Sequence, residues 1–142
     1  MKIFTNGTYD VLTVAHINLL LFCRQIAGVN GTVIVSLDSD KKITIDKGIN
    51  RPIFKFSERH DAIASLTCYG NQVVSAIDSH DDNNLLEERI SIMKPDYIVV
   101  GSDYKDKYVV GSEHAKVIFF ERDKRFSSTK IIEACRRQHY KN

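Results

Sequence analysis

Two short segments hold the residues best suited to chemistry on a phosphorylated ligand. The first is Gly7-Thr8-Tyr9-Asp10-Val11-Leu12-Thr13-Val14-Ala15-His16, and the second is Arg122-Asp123-Lys124-Arg125-Phe126-Ser127-Ser128-Thr129-Lys130. In each, a strand-like apolar run precedes and a helix-like run follows, so each segment opens a helix. A helix N-terminus presents unpaired N–H groups and partial positive charge, which favour a phosphate. Gly7 lets backbone amides approach a ligand closely. His16 can donate a hydrogen bond to a phosphate oxygen or merely cap its turn. The second segment places Arg122, Lys124 and Arg125 beside the hydroxyls of Ser127, Ser128 and Thr129. Ser127 or Ser128 can equally serve as an ordinary cap. Two such segments after neighbouring strands would converge at one sheet edge.

The elements that must carry them alternate along the chain. Lys2–Thr5 reads as a short strand and His16–Ala27 as a helix that is apolar almost all round. Thr32–Leu37 is a β-branched run of the kind buried on both faces of a parallel sheet. Asp38–Phe56 is polar, carries Gly48 and Pro52, and reads as a long loop. Ser57 reads as the N-cap of a helix to about Thr67. Gln72–Ile77 reads as a third strand, Leu85–Met93 as a helix stopped by Lys94-Pro95, Asp96–Val100 as a fourth strand and Lys116–Phe120 as a fifth. Ser127 to about His139 is the last helix. Strands separated by helices predict an α/β fold: one domain over residues 1–142, with a Rossmann-like parallel five-stranded sheet and helices on both faces. Ligands of such sheets sit outside the carboxyl ends of the strands. That rule nominates Asn6–His16, Asp38–Phe56, Gly101–Gly111 and Arg122–Thr129.

Composition sets the outer limits. The 142 residues are 43% apolar and 27% charged, which excludes disordered, collagen-like and coiled-coil chains. Twenty Lys+Arg against eighteen Asp+Glu leave +2, so overall charge decides nothing about an anionic partner. Cys23, Cys68 and Cys135 show no metal spacing and read as buried free thiols of a reducing compartment. The longest apolar run, Leu19 to Cys23, is far short of the roughly 20 residues of a membrane span. The N-terminus turns at Asn6 before a signal peptide could form. A soluble, cytoplasmic protein is expected, with no membrane partner. His60, His80, His114 and His139 read as surface or satisfied histidines, and Asp78–Asp82 as a solvated turn. The stretch from Lys116 holds eight Lys+Arg against three Asp+Glu. Without aromatic interleaving it does not predict nucleic-acid binding.

Gly7-Thr8-Tyr9-Asp10, Thr13-x-Ala15-His16 and Arg122-x-x-x-Phe126-Ser127-Ser128-Thr129 together resemble the cytidylyltransferase-like nucleotidyltransferases. The family patterns are G-T-F-D-x-x-H-x-G-H and R-x-x-x-[IF]-S-[ST]-T. Ser39-Asp40, Lys47-Gly48, Arg51-Pro52, Glu58-Arg59 and Gly101-Ser102-Asp103-Tyr104-Lys105 extend the likeness over Lys2 to about Ala134. Glycerol-3-phosphate cytidylyltransferase and the nucleotidyltransferase domain of ADP-heptose synthesis look nearest. The resemblance implies attack by a phosphate on the α-phosphorus of a nucleoside triphosphate, with pyrophosphate leaving. It gives His16, Thr13, Lys47 and Arg122 catalytic roles on the phosphates. It places Gly7, Thr8, Tyr9, Ala15, Gly101, Asp103, Tyr104, Ser127, Ser128 and Thr129 around the nucleotide. Mg²⁺ would travel with the triphosphate and need few protein ligands; no metal-binding residue is assigned. A homodimer is expected on the same ground.

Two positions depart from the pattern. Thr13 stands where the family has its first His, and a hydroxyl there could cost about 1–3 kcal/mol of transition-state stabilisation. Ala15 stands where the family has Gly, which is tolerable if its φ is negative. The expected donor is CTP, by overall similarity, and the acceptor a phosphorylated alcohol or sugar. One alternative is ATP-dependent adenylyl transfer to a sugar phosphate, because Gly101–Lys105 resembles the ADP-heptose branch, which uses ATP. Another is a nucleotide-binding protein of this fold with little or no turnover.

Overall fold

The computed structural model describes the backbone of residues 1–141 and the side chains of residues 1–138, so the side chain of His139 lies outside the description. The chain runs β1 (Lys2–Gly7), α1 (Val14–Ala27), β2 (Thr32–Asp38), α2 (Asp40–Lys47) and α3 (Phe56–Ala64). There follow β3 (Thr67–Cys68), β4 (Asn71–Gln72), β5 (Ala76–His80), α4 (Asn83–Met93), β6 (Tyr97–Gly101), β7 (Lys116–Phe120) and α5 (Ser128–Lys141). Five strands form one parallel sheet in the order β5-β2-β1-β6-β7. The order reverses at β1, so crossovers from β1 and β6 leave on opposite faces and open a crevice at their carboxyl ends.

Alternate residues of the strands feed the two faces. Ile3, Val33, Val35, Leu37 and Val99 pack with Leu20 and Cys23 of α1 and Ile63 of α3. Phe4, Ile34, Ile98 and Val100 pack with Leu86 and Ile90 of α4 and with Val109. The predicted fold class is therefore the observed one.

Several boundaries differ from the sequence expectation. Asp38–Phe56 is not all loop, because Asp40–Lys47 is a helix. Its cap, Ser39, accepts from the Lys42 amide, and only Ile43 of the helix is buried, so no apolar stripe announced it. The next helix starts at Phe56 with Lys55 as N-cap, not at Ser57. The third sheet strand is Ala76–His80 rather than Gln72–Ile77. Asn71–Gln72 pairs instead with Thr67–Cys68 in a small hairpin, turned by Tyr69 and Gly70 at φ 50° and 78°. Val73 and Val74 are buried without joining a strand. The Asp78–Asp82 stretch is only partly a turn: Asp78–His80 is strand and Asp82 caps α4. Of the cysteines, only Cys23 is buried and Cys135 is exposed, so buried thiols is right for one of three. Among the described residues no helix is long and apolar enough to cross a membrane.

Candidate functional site

A cleft of about 420 Å³ lies at the carboxyl ends of β1 and β6. Gly7, Thr8, Tyr9, Ala15, His16, Lys47, Gly101, Tyr104, Arg122, Ser127, Ser128 and Thr129 all line it. Thr13 and Asp103, assigned from sequence, do not line it. Asp103 is half exposed, with Oδ1 4.0 Å from Arg122.

The first segment leaves β1 through Tyr9, whose φ of 49° turns the chain. The Tyr9 ring folds back over Gly7, where a Cβ would lie 2.9 Å from the ring. Burial pushes the Tyr9 phenol up, so it stays protonated. Thr13 is the N-cap of α1, which begins at Val14 rather than at His16. The Thr13 amide donates to His16 Nδ1 at 3.0 Å, and the Thr13 hydroxyl lies 3.3 Å from the same nitrogen. Thr13 thus faces His16, not the cleft. Ala15 lies within helix α1 and is not among the residues with positive φ, so its methyl adds no backbone strain.

Burial first, then Arg122 and Lys47, push His16 down to about 4. The ring is neutral at pH 7. With Nδ1 accepting from Thr13, the proton belongs on Nε2, an assignment made from the hydrogen bonding. Lys47 is also shifted down, by burial and then by Arg51. Gly101 is glycine because a Cβ there would collide with the Arg122 side chain and the Asp103 carboxylate.

The second segment is tied to the first. The Ser128 hydroxyl donates to the Val11 carbonyl at 2.7 Å, which docks the start of α5 onto the first loop. Its proton is thereby committed to the fold, while Thr129 stays within 3.5 Å of Arg51 Nη1.

Sequence reasoning gave no role to Arg51, Asp10, Asp38 or Arg59, although the resemblance included Asp10, Arg51-Pro52 and Glu58-Arg59. Arg51 lines the cleft at 7% exposure, with Nε donating to Asp10 at 2.8 Å. Its Nη2 is buried and has no hydrogen-bond partner. Asp10 also accepts from the Ile53 and Phe54 amides, both at 2.8 Å. Burial works to raise the Asp10 pKa, but these two amides and Arg51 outweigh it and hold the carboxyl below its ordinary value. Arg59 is 1% exposed and donates to the carbonyls of Thr8, Asp38 and Phe54 and to the Asp40 carboxylate. It ties the ends of β1 and β2 to the starts of α2 and α3. Asp38 accepts from the Thr8 hydroxyl at 2.8 Å. Burial opposes its ionisation, yet His80, Lys42 and Thr8 outweigh it and hold its carboxyl below the ordinary value.

Asp10 is thus already engaged by three protein donors, and Asp38 by the Thr8 hydroxyl with His80 and Lys42 close by. The cleft suits a cation carried in by ligand phosphates better than one gripped by the chain. Glu87, Glu113 and His114 bring ligand atoms within 4.8 Å of one another, but none of the three lines the cleft.

The family model described as cytidylyltransferase-like matches residues 4–134. The chain belongs to the cytidylyltransferase-like family. This places it among the nucleotidyltransferases. Curated relatives of this cytidylyltransferase-like chain include the bifunctional protein HldE of Helicobacter pylori strain P12, 35% identical over 138 residues. That alignment covers 96% of the chain and 28% of the relative. HldE of Campylobacter jejuni subsp. doylei is 36% identical over 132 residues, covering 92% of the chain and 27% of the relative. The cytidylyltransferase-like chain therefore spans under a third of the length of these relatives. A bifunctional NMN adenylyltransferase/ADP ribose pyrophosphatase from Francisella tularensis shares the fold, with TM-score 0.62 at 14% identity. That likeness covers 91% of this chain and 40% of the other.

Proposed function

We propose that this chain transfers an adenylyl group from ATP to a phosphorylated sugar or alcohol and releases pyrophosphate. The observation that carries this reading is the donor set converging on one cleft. Arg51 brings a buried, unpartnered Nη2. Lys47, Arg122 and the first residues of α5 line the same wall, and His16 offers Nε2–H. Three cations and a helix N-terminus suit a triphosphate.

In the reaction an acceptor phosphate oxygen bonds to the α-phosphorus as the bond from that phosphorus to the bridging oxygen breaks. The electron pair leaves with pyrophosphate. The nucleophile is already ionised at neutral pH, so no general base is required. The chain's contribution is alignment and stabilisation of developing charge. His16 donates from Nε2 to a phosphate oxygen. Thr13 holds the ring in that tautomer and so acts through His16. Arg51, Lys47 and Arg122, with the α5 amides, hold the departing pyrophosphate. Mg²⁺ supplies further neutralisation when bound with the nucleotide.

ATP is preferred to CTP as donor for two reasons. Gly101–Lys105 resembles the ADP-heptose branch, and the relatives at 35–36% identity are HldE proteins. A second reading, nucleotide binding with little turnover, is favoured by the Thr13 hydroxyl turning away from the cleft. Melting with ATP, CTP, GTP and UTP, each with Mg²⁺, followed by pyrophosphate release on candidate acceptors, tests both. A ligand at 100 times its Kd should stabilise by about 2.7 kcal/mol. A shift with ATP but no pyrophosphate from any acceptor would favour the second reading. No shift with any nucleotide would overturn both.

A further inference from the structure

The cleft was built for anions, yet its wall carries three carboxylates: Asp10, Asp38 and Asp46. Asp10 is used up by Arg51 and two amides. Asp46 is 48% exposed and bonded to Lys42 at 2.6 Å. Asp38 is different. Its side chain is 13% exposed, at the end of β2 beside His80 of β5 in the strand register. Oδ2 accepts from the Thr8 hydroxyl, while Oδ1 lies 2.8 Å from His80 Nε2, close but poorly aligned. His80 is 1% exposed and its Nδ1 sits 2.8 Å from the Ser36 hydroxyl. Thr8, His80 and, at 3.8 Å, Lys42 therefore surround this one charge beside the cleft.

A carboxylate offers about four acceptor positions, so Asp38 keeps acceptor capacity after Thr8 and His80 are counted. It repels phosphate at close range in a partly buried site. The triphosphate must therefore lie toward Lys47, Arg51 and Arg122. Lys42 Nζ already lies 3.8 Å from Oδ1, so the ligand group that suits the remaining acceptor position is a neutral hydrogen-bond donor. Lys42, Asn83, Tyr104 and Tyr108 share the cleft wall with Asp38. They offer a donor, an amide and two aromatic faces, a mixture that suits a polyhydroxylated body.

Building on the reaction proposed above, we infer that Asp38 selects the acceptor by accepting a hydrogen bond from one of its hydroxyls, with His80 as the positioning residue behind it. The acceptor is then a phosphate ester that carries free hydroxyls. Its phosphate faces the cationic wall and its hydroxylated body faces Asp38.

The test compares wild type, Asp38→Ala, Asp38→Asn and His80→Gln with MgATP. The acceptors are gluco-, galacto- and manno-configured hexose 1-phosphates, and methyl phosphate, which has no hydroxyl. A hydrogen bond to a charged acceptor is commonly a ten- to hundredfold effect. Asp38→Ala should raise KM for the best hexose phosphate about ten- to hundredfold, with kcat within threefold and the MgATP melting shift retained. Asp38→Asn and His80→Gln should move the same KM less. Methyl phosphate turnover should not fall in any variant. If Asp38→Ala does not fold, the same pattern read in Asp38→Asn decides. An equal loss for methyl phosphate and hexose phosphates, or loss of the MgATP shift, would overturn the role of Asp38. So would failure of wild type to use any hexose phosphate. If wild type also lacks a MgATP shift, the nucleotide reading itself has failed, which separates the two.

Discussion

A drop in pH from 7.5 to 5 is the sharpest probe of the site's electrostatics, because His16 reports on the cations around it. Its ordinary pKa is 6.5, and burial with Arg122 and Lys47 brings it to about 4 in the folded chain. The folded pKa lies below the unfolded one, so the unfolded chain takes up the proton first. Stability from this group is full above pH 6.5 and is lost as pH falls toward 4. At pH 5 the unfolded ring is almost fully protonated and the folded ring about one-tenth so. The difference comes to about 2 kcal/mol at pH 5 and about 3 kcal/mol below pH 4. Carboxylates also titrate in this range, so the comparison must be with His16→Asn. Urea unfolding of both proteins at pH 7.5 and pH 5 measures it. Wild type should lose about 2 kcal/mol more than the variant. Equal losses, within about 0.5 kcal/mol, would refute the claim that His16 is held neutral. A bound triphosphate should reverse the effect of Arg122 and Lys47 and raise the pKa, visible as an upfield-to-downfield change in the ring-proton titration by NMR.

Thr13→Val keeps the amide that holds His16 Nδ1, so kcat should stay within about threefold; a fall of tenfold or more would mean the hydroxyl reaches phosphate after all. Arg51→Met should weaken MgATP binding at least about tenfold and, by taking one donor from buried Asp10, lower stability by about 2 kcal/mol in urea. Gly101→Ala should displace Arg122, cutting kcat/KM about ten- to hundredfold with stability changed by under about 1 kcal/mol. Arg59→Met leaves three part-buried carbonyls and the Asp40 carboxylate without their donor and should cost about 3–5 kcal/mol, several degrees or more of Tm.

The parts of this molecule legible in sequence are those set by local pattern. β-branched runs flanked by turns gave β2 and β6, and a strand leading into a helix start gave both halves of the cleft. What escaped was set by long-range pairing. Helix α2 has one buried residue, Ile43, so it lacks the apolar period that marks a helix. Strand β5 carries Asp78, Ser79 and His80, which look solvated until Asp38 and Ser36 arrive from β2. Arg51 and Asp10 lie 41 residues apart, and no spacing rule joins them. Thr13 was misplaced for the opposite reason. Its motif position suggested phosphate contact, whereas its local geometry as N-cap turns it onto a residue three places on.

The single bond from Ser128 to Val11 spans 117 residues. Beyond Ile132, every described residue of α5 through Gln138 is exposed. Among its described residues, the last helix is therefore anchored mainly through its first turn, which is also the turn that lines the cleft. Isolated helices of this length are marginal in water. A ligand bound at that turn would then also stabilise the C-terminal segment. The pocket is complete only once residues through Thr129 are in place, and MgATP should slow protease cleavage after Arg136 and Arg137 more than cleavage elsewhere.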